Sequence, residues 1–396
     1  MPACDSVYQP REDSTLLEKH VRVLAKGVVL DVGTGSGIQA LTAALRPEVS
    51  RVIAVDIQEE VIEHCREHVR NRKIEFFQSD LFSIFKKNPK LKKIKFDTII
   101  FNPPYLPQEL KVKDLSLEGG KKGYETVERF LDGVNGFLKK DGIILLLFSS
   151  LTKKEKVEEF IRNNLLELKL LEEQNIFFEQ LFVYEIGKSE LLKRLEKKGI
   201  REVHYFSRGK RGFIFTGFLK GKKIAIKTNN PESKAVSRIE NEANFLKALN
   251  KRGIGPKFLL SDVDFVVREF IDGKLIEQYL EINDKKDIIK IINKIFLQLF
   301  EMDRLNINKE EMSHPHKHII IDKKGKPYLI DFERCRKTIK PGNVTQFCDY
   351  LIGGSISGVL MGRGITINKE KMILSSKRYK KSISKENLKK IIKTIE

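Results

Sequence analysis

A short apolar run, Val28–Val32, leads into Asp31-Val32-Gly33-Thr34-Gly35-Ser36-Gly37 and then into a helical stretch. A strand that turns into a helix over alternate glycines lets the backbone approach a ligand closely. It commits this part of the chain to an α/β sheet. The surrounding pattern agrees. Further apolar runs stand at Arg51–Asp56, Lys73–Phe77, Phe96–Phe101, Gly142–Phe148 and Leu181–Ile186, with helical spacing between them at Glu59–Val69 and Val127–Leu138. Strands alternating with helices predict a mostly parallel sheet covered on both faces. The glycines read G-x-G-x-G, and Asp56 ends the second run, where a carboxylate can take both ribose hydroxyls of a nucleoside. A dinucleotide stays open at this point.

Asn102-Pro103-Pro104-Tyr105 narrows the chemistry. It follows the run Phe96–Phe101, and two consecutive prolines fix φ and stiffen the turn. Such a turn can hold the Asn102 side-chain oxygen and a proline carbonyl as paired acceptors. A planar amino group presented there donates both hydrogens, and its lone pair is aimed at an electrophilic methyl. Tyr105 offers a ring to stack on a flat substrate. Orienting two reactants in this way is the main catalytic resource the site needs. Asp31, ahead of the glycines, can hold the amino group of a methionine moiety.

With Asp31–Gly37, Asp56 and Ser79-Asp80-Leu81 in this order, the tetrapeptide resembles the S-adenosylmethionine-dependent methyltransferases that modify planar nitrogens. The opening Val7-Tyr8-Gln9-Pro10-Arg11-Glu12-Asp13-Ser14 and the segment Glu118-Gly119-Gly120-Lys121-Lys122-Gly123 resemble the HemK-like protein-glutamine methyltransferases. They are most similar to the eukaryotic and archaeal branch, which acts on class I release factors. The resemblance spans about residues 4–188 and implies a Rossmann-like class I methyltransferase domain. It implies transfer to the glutamine amide of a Gly-Gly-Gln loop in a release factor. By the same resemblance Ser14, Asp31, Gly33, Gly35, Asp56, Asp80, Leu81 and Asn102 contact the cofactor, with Asp80 at the adenine amino group. Asn102, Pro103, Pro104 and Tyr105 form the catalytic turn. Ser14 stands where Thr is more usual, and Gln9 where Glu is common. The branch works with a small zinc-binding activator subunit, so a partner is implied. Two other acceptors remain open: an exocyclic amino group of a base in RNA or DNA, and lysine, whose tetrahedral ammonium suits the turn poorly.

The pattern changes after Gly187-Lys188-Ser189. A charged helix at Ser189–Lys198 is followed by Ser207–Gly212, with Gly209 and Gly212 able to let amides approach phosphates. A hairpin turn, Gly217–Lys222, returns as Lys223–Lys227. Lys227 ends this strand, and Glu242 lies in a helix over Ile239–Leu249, in reach of Lys227 as its ion-pair partner. Phe265–Phe270 and Ile271-Asp272-Gly273 read as a hinge, and Tyr328–Asp331 precedes Phe332-Glu333. This resembles the atypical archaeal RIO-like protein kinases over about residues 200–350, an α+β bilobal fold. It implies ATP with Mg, and Asp331 as the metal ligand. The catalytic loop departs from the family: His318 stands where kinases place a metal-binding Asn, and Ser313 where the catalytic Asp belongs. Glu310 or Glu311 could substitute only in a reshaped loop. An atypical kinase, a nucleotide-binding pseudokinase and a scaffold all remain open. His314, His316 and His318 would share one face if the segment were a strand, leaving a metal site and a solvent-facing cluster as alternatives.

Composition bounds the rest. At about 150 residues per domain the chain holds two to three, and we read 1–188 as the methyltransferase domain, 189–366 as the kinase-like domain and 367–396 as a basic tail with room for one short helix. Hydrophobic content of 41% excludes wholesale disorder. The four cysteines (Cys4, Cys65, Cys335, Cys348) are scattered, which excludes a Cys-rich zinc site and a disulfide scaffold and fits the cytoplasm. No transmembrane run and no secretory signal are expected. The net charge of +20 includes ten Lys/Arg against three Glu from residue 369 onward. The Lys-rich stretches Lys86–Lys95 and Lys377–Lys381 are read as solvated surface or as weak phosphate contacts to RNA, since aromatic-poor runs carry no sequence readout.

Overall fold

The computed structural model describes residues 9–104, 122–176, 179–209, 212–229 and 239–395. Tyr105, the segment 118–121 and the opening residues 7–8 lie outside the described residues, as do residues 210–211. The chain divides into two compact units. The first is Met1–Tyr205 with Phe218–Lys220, and the second is Phe206–Gly217 with Gly221–Glu396.

The first unit runs α1 (Glu12–Leu24), β1 (Gly27–Val32), α2 (Ile38–Ala44), β2 (Val49–Asp56), α3 (Glu59–His68), β3 (Ile74–Gln78), α4 (Ser83–Lys87), β4 (Phe96–Phe101), α5 (Glu125–Val134), β5 (Leu138–Ser149), α6 (Lys154–Asn163), β6 (Leu166–Ile176), β7 (Glu179–Lys188) and α7 (Glu190–Lys197). Seven strands form one sheet in the order β3-β2-β1-β4-β5-β7-β6. The pairs from β3 through β5 are parallel, and β7 is antiparallel to both β5 and β6. The central strands are buried on both faces, which is why β1, β4 and β5 read as continuous apolar runs rather than alternations. The core on one face joins Leu17, Val21 and Ala40 to Val52, Ile100 and Leu145. The helix expected over Val127–Leu138 ends at Val134, because Leu138 already begins β5. Strand β6 has no counterpart among the expected elements. It is a sheet-edge strand, mostly exposed and rich in charge, so it lacks the apolar signal of its neighbours.

The chain continues as β8 (Ile200–Arg208) and β9 (Gly212–Leu219), each with residues in both units, and in the second unit as β10 (Lys222–Asn229), α8 (Ile239–Asn250), β11 (Phe258–Ser261) and β12 (Phe265–Glu269). These strands lie in the order β11-β12-β10-β9-β8. A more helical part follows: β13 (Gly273–Leu275), α9 (Ile276–Ile282), α10 (Lys285–Arg304), β14 (Ile307–Asn308), β15 (Ile319–Asp322), β16 (Pro327–Leu329), β17 (Arg336–Lys337), α11 (Asn343–Ile352), α12 (Gly354–Gly362), α13 (Lys369–Lys381) and α14 (Lys385–Ile392). One apolar core unites α10, α11 and the last two helices through Ile295, Phe347, Met372, Tyr379, Leu388 and Ile391. The basic C-terminal segment thus forms two helices rather than one, and both pack into this core. No helix among the described residues is long and apolar enough to cross a membrane.

Candidate functional site

In the first unit the sheet order reverses between β1 and β4, and open α/β sheets bind ligands at the carboxyl ends of the strands at such a point. Val32 pairs with Phe101, so Asp31 and Asn102 come to neighbouring strand ends. A cavity of about 410 Å³ opens there. It brings together Ser14, Asp31, Gly33, Gly35, Asp56, Asp80, Leu81, Asn102, Pro103 and Pro104, residues that stand as far apart as 14 and 104 in the chain.

The glycine loop is shaped by its backbone. Gly37 has φ +79, and a Cβ there would stand 2.9 Å from the Val69 side chain. Gly35 donates its N–H to Asp56 Oδ2 at 3.1 Å, and Gln58 donates to Asp56 Oδ1 at 3.1 Å. These two bonds, with a further backbone contact from Ile57, fix the Asp56 carboxylate at the cavity wall. Asp31 is buried and accepts from the Thr34 hydroxyl at 2.6 Å. Burial pushes its carboxyl up to about 7; the Thr34 bond opposes this and the nearby Asp56 charge adds to it. Asp80 is nearly half exposed and pairs with Arg129 at 2.6 Å, an exposed ion pair worth about 1 kcal/mol or less.

Asp13 was not among the residues singled out from the sequence, although it adjoins Ser14. It lies in the first turn of α1 and is buried. Its Oδ2 accepts from Asn102 Nδ2 at 2.8 Å. A carboxylate can only accept, so this bond turns the other end of the amide, Oδ1, away from Asp13. Asn102 Oδ1 is buried with no hydrogen-bond partner among the described residues. A buried acceptor left unpaired at a cavity wall is costly unless a ligand completes it. Arg129 and Glu179 also line the cavity. No local pattern marks them, since they arrive from α5 and β7.

The second unit has its own cluster. Lys227, on β10, lies 2.6 Å from Glu242 of α8, 2.7 Å from Asp331 Oδ1 and 2.9 Å from Glu333. Burial would lower the Lys227 ammonium, but the three carboxylates hold it well above its ordinary value. Asp331 in turn is drawn well below the carboxylate range: burial opposes this, and Lys227 and Lys309 prevail. Lys309 is fully buried; its ammonium donates to the Asp331 carbonyl and to Glu311 at 3.1 Å. From the sequence, Glu333 stands out only as the residue in place of the glycine of a kinase Asp-Phe-Gly motif, and Lys309 does not stand out at all. Gly212 sits beside Lys227, and a Cβ on it would come within 2.3 Å of the Thr228 carbonyl. Strand packing alone therefore accounts for that glycine. Gly209 donates its N–H to Gly212 O at 2.8 Å across the turn.

The segment 314–318 does not form the strand that would align its three histidines. Pro315 opens a 3-10 turn over Pro315–Lys317, and the His314 and His316 rings meet edge-on at 87°. His318 alone is directed at the cluster, with Nδ1 3.6 Å from Asp331 Oδ2.

Comparison with known proteins bears on the first unit. The family described as methyltransferase small domain matches residues 9–178. A Methanocaldococcus jannaschii protein, provisionally named as a protein N5-glutamine methyltransferase, is 32% identical over 184 residues, which cover 45% of this chain and 89% of that one. A release factor glutamine methyltransferase of Bacillus cereus is 34% identical over 128 residues, but these cover only 29% of this chain and 44% of the relative. Among solved structures, a chain of the E. cuniculi Mtq2–Trm112 complex, responsible for methylation of the eRF1 termination factor, aligns at 25% identity. It covers 46% of this chain and 99% of that one, with a TM-score of 0.37. The near full-length match to the archaeal protein and the ligand-ready end of a seven-stranded sheet agree: the chain belongs to the methyltransferase small-domain family, and its first unit is a Rossmann-like, S-adenosylmethionine-dependent methyltransferase.

Proposed function

We propose that the first unit methylates the side-chain amide nitrogen of a glutamine in a protein, with a translation release factor as the substrate. The observation that carries this reading is the buried Asn102 Oδ1, unpaired among the described residues and held toward the cavity by the bond from its own Nδ2 to Asp13. A planar amide nitrogen carries two hydrogens. In this reading Asn102 Oδ1 and the Pro103 carbonyl take them, and the resulting orientation supplies rate through alignment. The residues present fit the cofactor. Asp31 is a buried carboxylate for an amino group, Asp56 a fixed carboxylate for ribose hydroxyls, and both line the cavity with Gly33 and Gly35. S-adenosylmethionine supplies an electrophilic methyl group when bound. As the substrate nitrogen gains that methyl, its surplus proton passes to water, so no strong base is required of the chain.

The names of the relatives support glutamine over a nucleobase, since the M. jannaschii and B. cereus proteins both carry it. Purified chain, radiolabelled cofactor and a release factor test the reading. Label is expected on the factor and is expected to vanish when the glutamine of its Gly-Gly-Gln loop is changed to alanine. Label that survives this change, or appears on RNA and never on protein, overturns it.

The Asp31 carboxyl yields a pH prediction. An amino group of the cofactor pairs with the carboxylate, not with the neutral acid. With the group at about 7 in the free protein, cofactor affinity is full above that pH. It falls about tenfold per unit once the pH drops well below 7. Isothermal titration from pH 8 to 5.5 measures this, and Asp31→Asn is expected to flatten the profile while weakening binding throughout.

For the second unit we infer a nucleotide-binding site of protein-kinase type. The supporting observation is Lys227 held between Glu242 and Asp331, the arrangement that orients a phosphate-facing ammonium. Loss of ATP binding in Lys227→Ala checks it. With Ser313 in place of the catalytic Asp, nucleotide binding is the part of the kinase reading that these residues favour.

A further inference from the structure

We infer that the second unit holds a first-row transition-metal ion between His318 Nδ1 and Asp331 Oδ2, completed by nucleotide phosphate oxygens, in place of an all-oxygen magnesium site. The inference rests on the nucleotide-binding reading of this unit and specifies its cation.

Register brings the two ligands together. Strand β15 pairs antiparallel with β16, Ile319 opposite Leu329. The residues just before β15 therefore face those just after β16. Ile330 N–H donates to the His318 carbonyl at 2.9 Å and locks this arrangement. Asp331 is then set by its backbone. It has φ +65, a left-handed value that a non-glycine residue adopts only where its surroundings enforce it. Lys309 holds its carbonyl from beneath. Such strain persists where the surrounding structure enforces it, and here it directs the two carboxylate oxygens to different partners.

Oδ1 takes Lys227 at 2.7 Å. Oδ2 faces His318 Nδ1 at 3.6 Å, too long for a hydrogen bond. That ring nitrogen is buried and without a hydrogen-bond partner among the described residues. Two ligand atoms each about 2.1 Å from one cation can stand up to about 4.2 Å apart. The observed separation of 3.6 Å lies within that span. A second place for a cation is already filled. Glu242, Asp331 and Glu333 bring carboxylate oxygens within 4.8 Å of one another, but the Lys227 ammonium stands 2.6–2.9 Å from each. The His318–Asp331 pair lies on the other side of Asp331 from Lys227.

The donor set decides the metal. Magnesium is bound through carboxylates, water and phosphate and is reluctant to leave oxygen ligands. Imidazole suits zinc, iron, nickel and cobalt. One imidazole and one carboxylate, with phosphate oxygens and water filling the remaining positions, favour the softer ions.

The test is titration of the full-length chain with a non-hydrolysable ATP analogue in EDTA, Mg²⁺, Mn²⁺ or Co²⁺, for the wild type and for His318→Asn, Asp331→Asn and Lys227→Ala. We expect the analogue to bind at least tenfold more tightly with Co²⁺ than with Mg²⁺. In His318→Asn, which supplies an oxygen at the same place, that ratio is expected to collapse while binding with Mg²⁺ persists. The visible absorption of bound Co²⁺ is expected to change with it. Asp331→Asn is expected to lose binding with every ion; a cooperative unfolding transition above the assay temperature shows that the variants are folded. Equal affinity with Mg²⁺ and Co²⁺ in the wild type, or an unaltered ratio in His318→Asn, overturns the metal assignment and leaves nucleotide binding standing. No binding with any ion, in wild type and Lys227→Ala alike, overturns the nucleotide reading itself, and this inference with it.

Discussion

Asp13→Asn is expected to lower kcat for methyl transfer on the order of a hundredfold while leaving cofactor affinity and the melting temperature nearly unchanged. Asp13 Oδ2 accepts from Asn102 Nδ2 at 2.8 Å, and because a carboxylate has no hydrogen to give, only one orientation of the Asn102 amide satisfies it. That orientation presents Oδ1, buried and unpaired, to the cavity. An asparagine at 13 can donate as well as accept. The Asn102 amide can then turn over and present Nδ2, a donor, to a substrate nitrogen that also donates. Losing one preorganised partner at a reacting centre costs about 10²–10³ in kcat, so a hundredfold loss is about 2.7 kcal/mol of the barrier. Asn102→Ala, which removes the acceptor outright, is expected to fall at least as far. A merely structural role for Asp13 would not respond to a swap. In Asp13→Asn combined with Asn102→Asp, the new amide donates to the new carboxylate, whose second oxygen again faces the cavity as an acceptor. Part of kcat is expected to return. Single-turnover rates with saturating cofactor measure all four proteins. An undiminished rate in Asp13→Asn, or no recovery in the double variant, sinks the positioning role.

The same bond explains what could be read in advance. Asp31–Gly37 and Asn102–Pro104 are short segments whose chemistry is local: glycines for a left-handed turn, prolines for a stiff one, a carboxylate or amide beside them. Their residue types point to the fold and to the ligand without any knowledge of packing. Asp13 has no such signal. Its role depends on a contact with a residue 89 positions away, and in the chain it is one acidic residue next to another at a helix start. Lys309 is the same case in the second unit. Within Asn308-Lys309-Glu310-Glu311 it reads as loop charge, yet it is fully buried beneath Asp331. The three alternating histidines mislead in the opposite direction. Their period of two mimics a strand, and Pro315 between them, well placed to open a 3-10 turn, was the contrary signal. In the basic C-terminal segment the charge run hides the packing. Helix α13 buries only Met372 and Tyr379, too few positions to stand out against so many lysines.

Tyr379 leads to the second large effect. Asp303→Ala is expected to destabilise the second unit by about 3–5 kcal/mol, lowering its unfolding midpoint by about 10 °C for a unit of this size. Asp303 lies in the last turn of α10 and is buried. Its Oδ1 accepts from the backbone N–H of Asn343 at 3.0 Å and from Asn343 Nδ2 at 2.7 Å. Oδ2 accepts from Val344 N–H at 3.2 Å and from the Tyr379 hydroxyl at 3.0 Å. Burial raises its carboxyl, and these four donors oppose that rise. Alanine leaves several buried donors without their acceptor at once. Tyr379→Phe removes only one donor and keeps the ring against Phe300, so it is expected to cost about 1 kcal/mol. The consequence extends to the cluster around Asp331. Asn343 Oδ1 accepts from the Lys309 N–H at 2.7 Å, so Asp303 orients the amide that in turn seats Lys309 under Asp331. Nucleotide affinity is therefore expected to weaken in Asp303→Ala more than in Tyr379→Phe. Thermal unfolding and analogue titration of the two variants measure both effects. An Asp303→Ala protein as stable as Tyr379→Phe would mean that the four donors find other acceptors. The basic C-terminal helices would then be held by their apolar contacts alone.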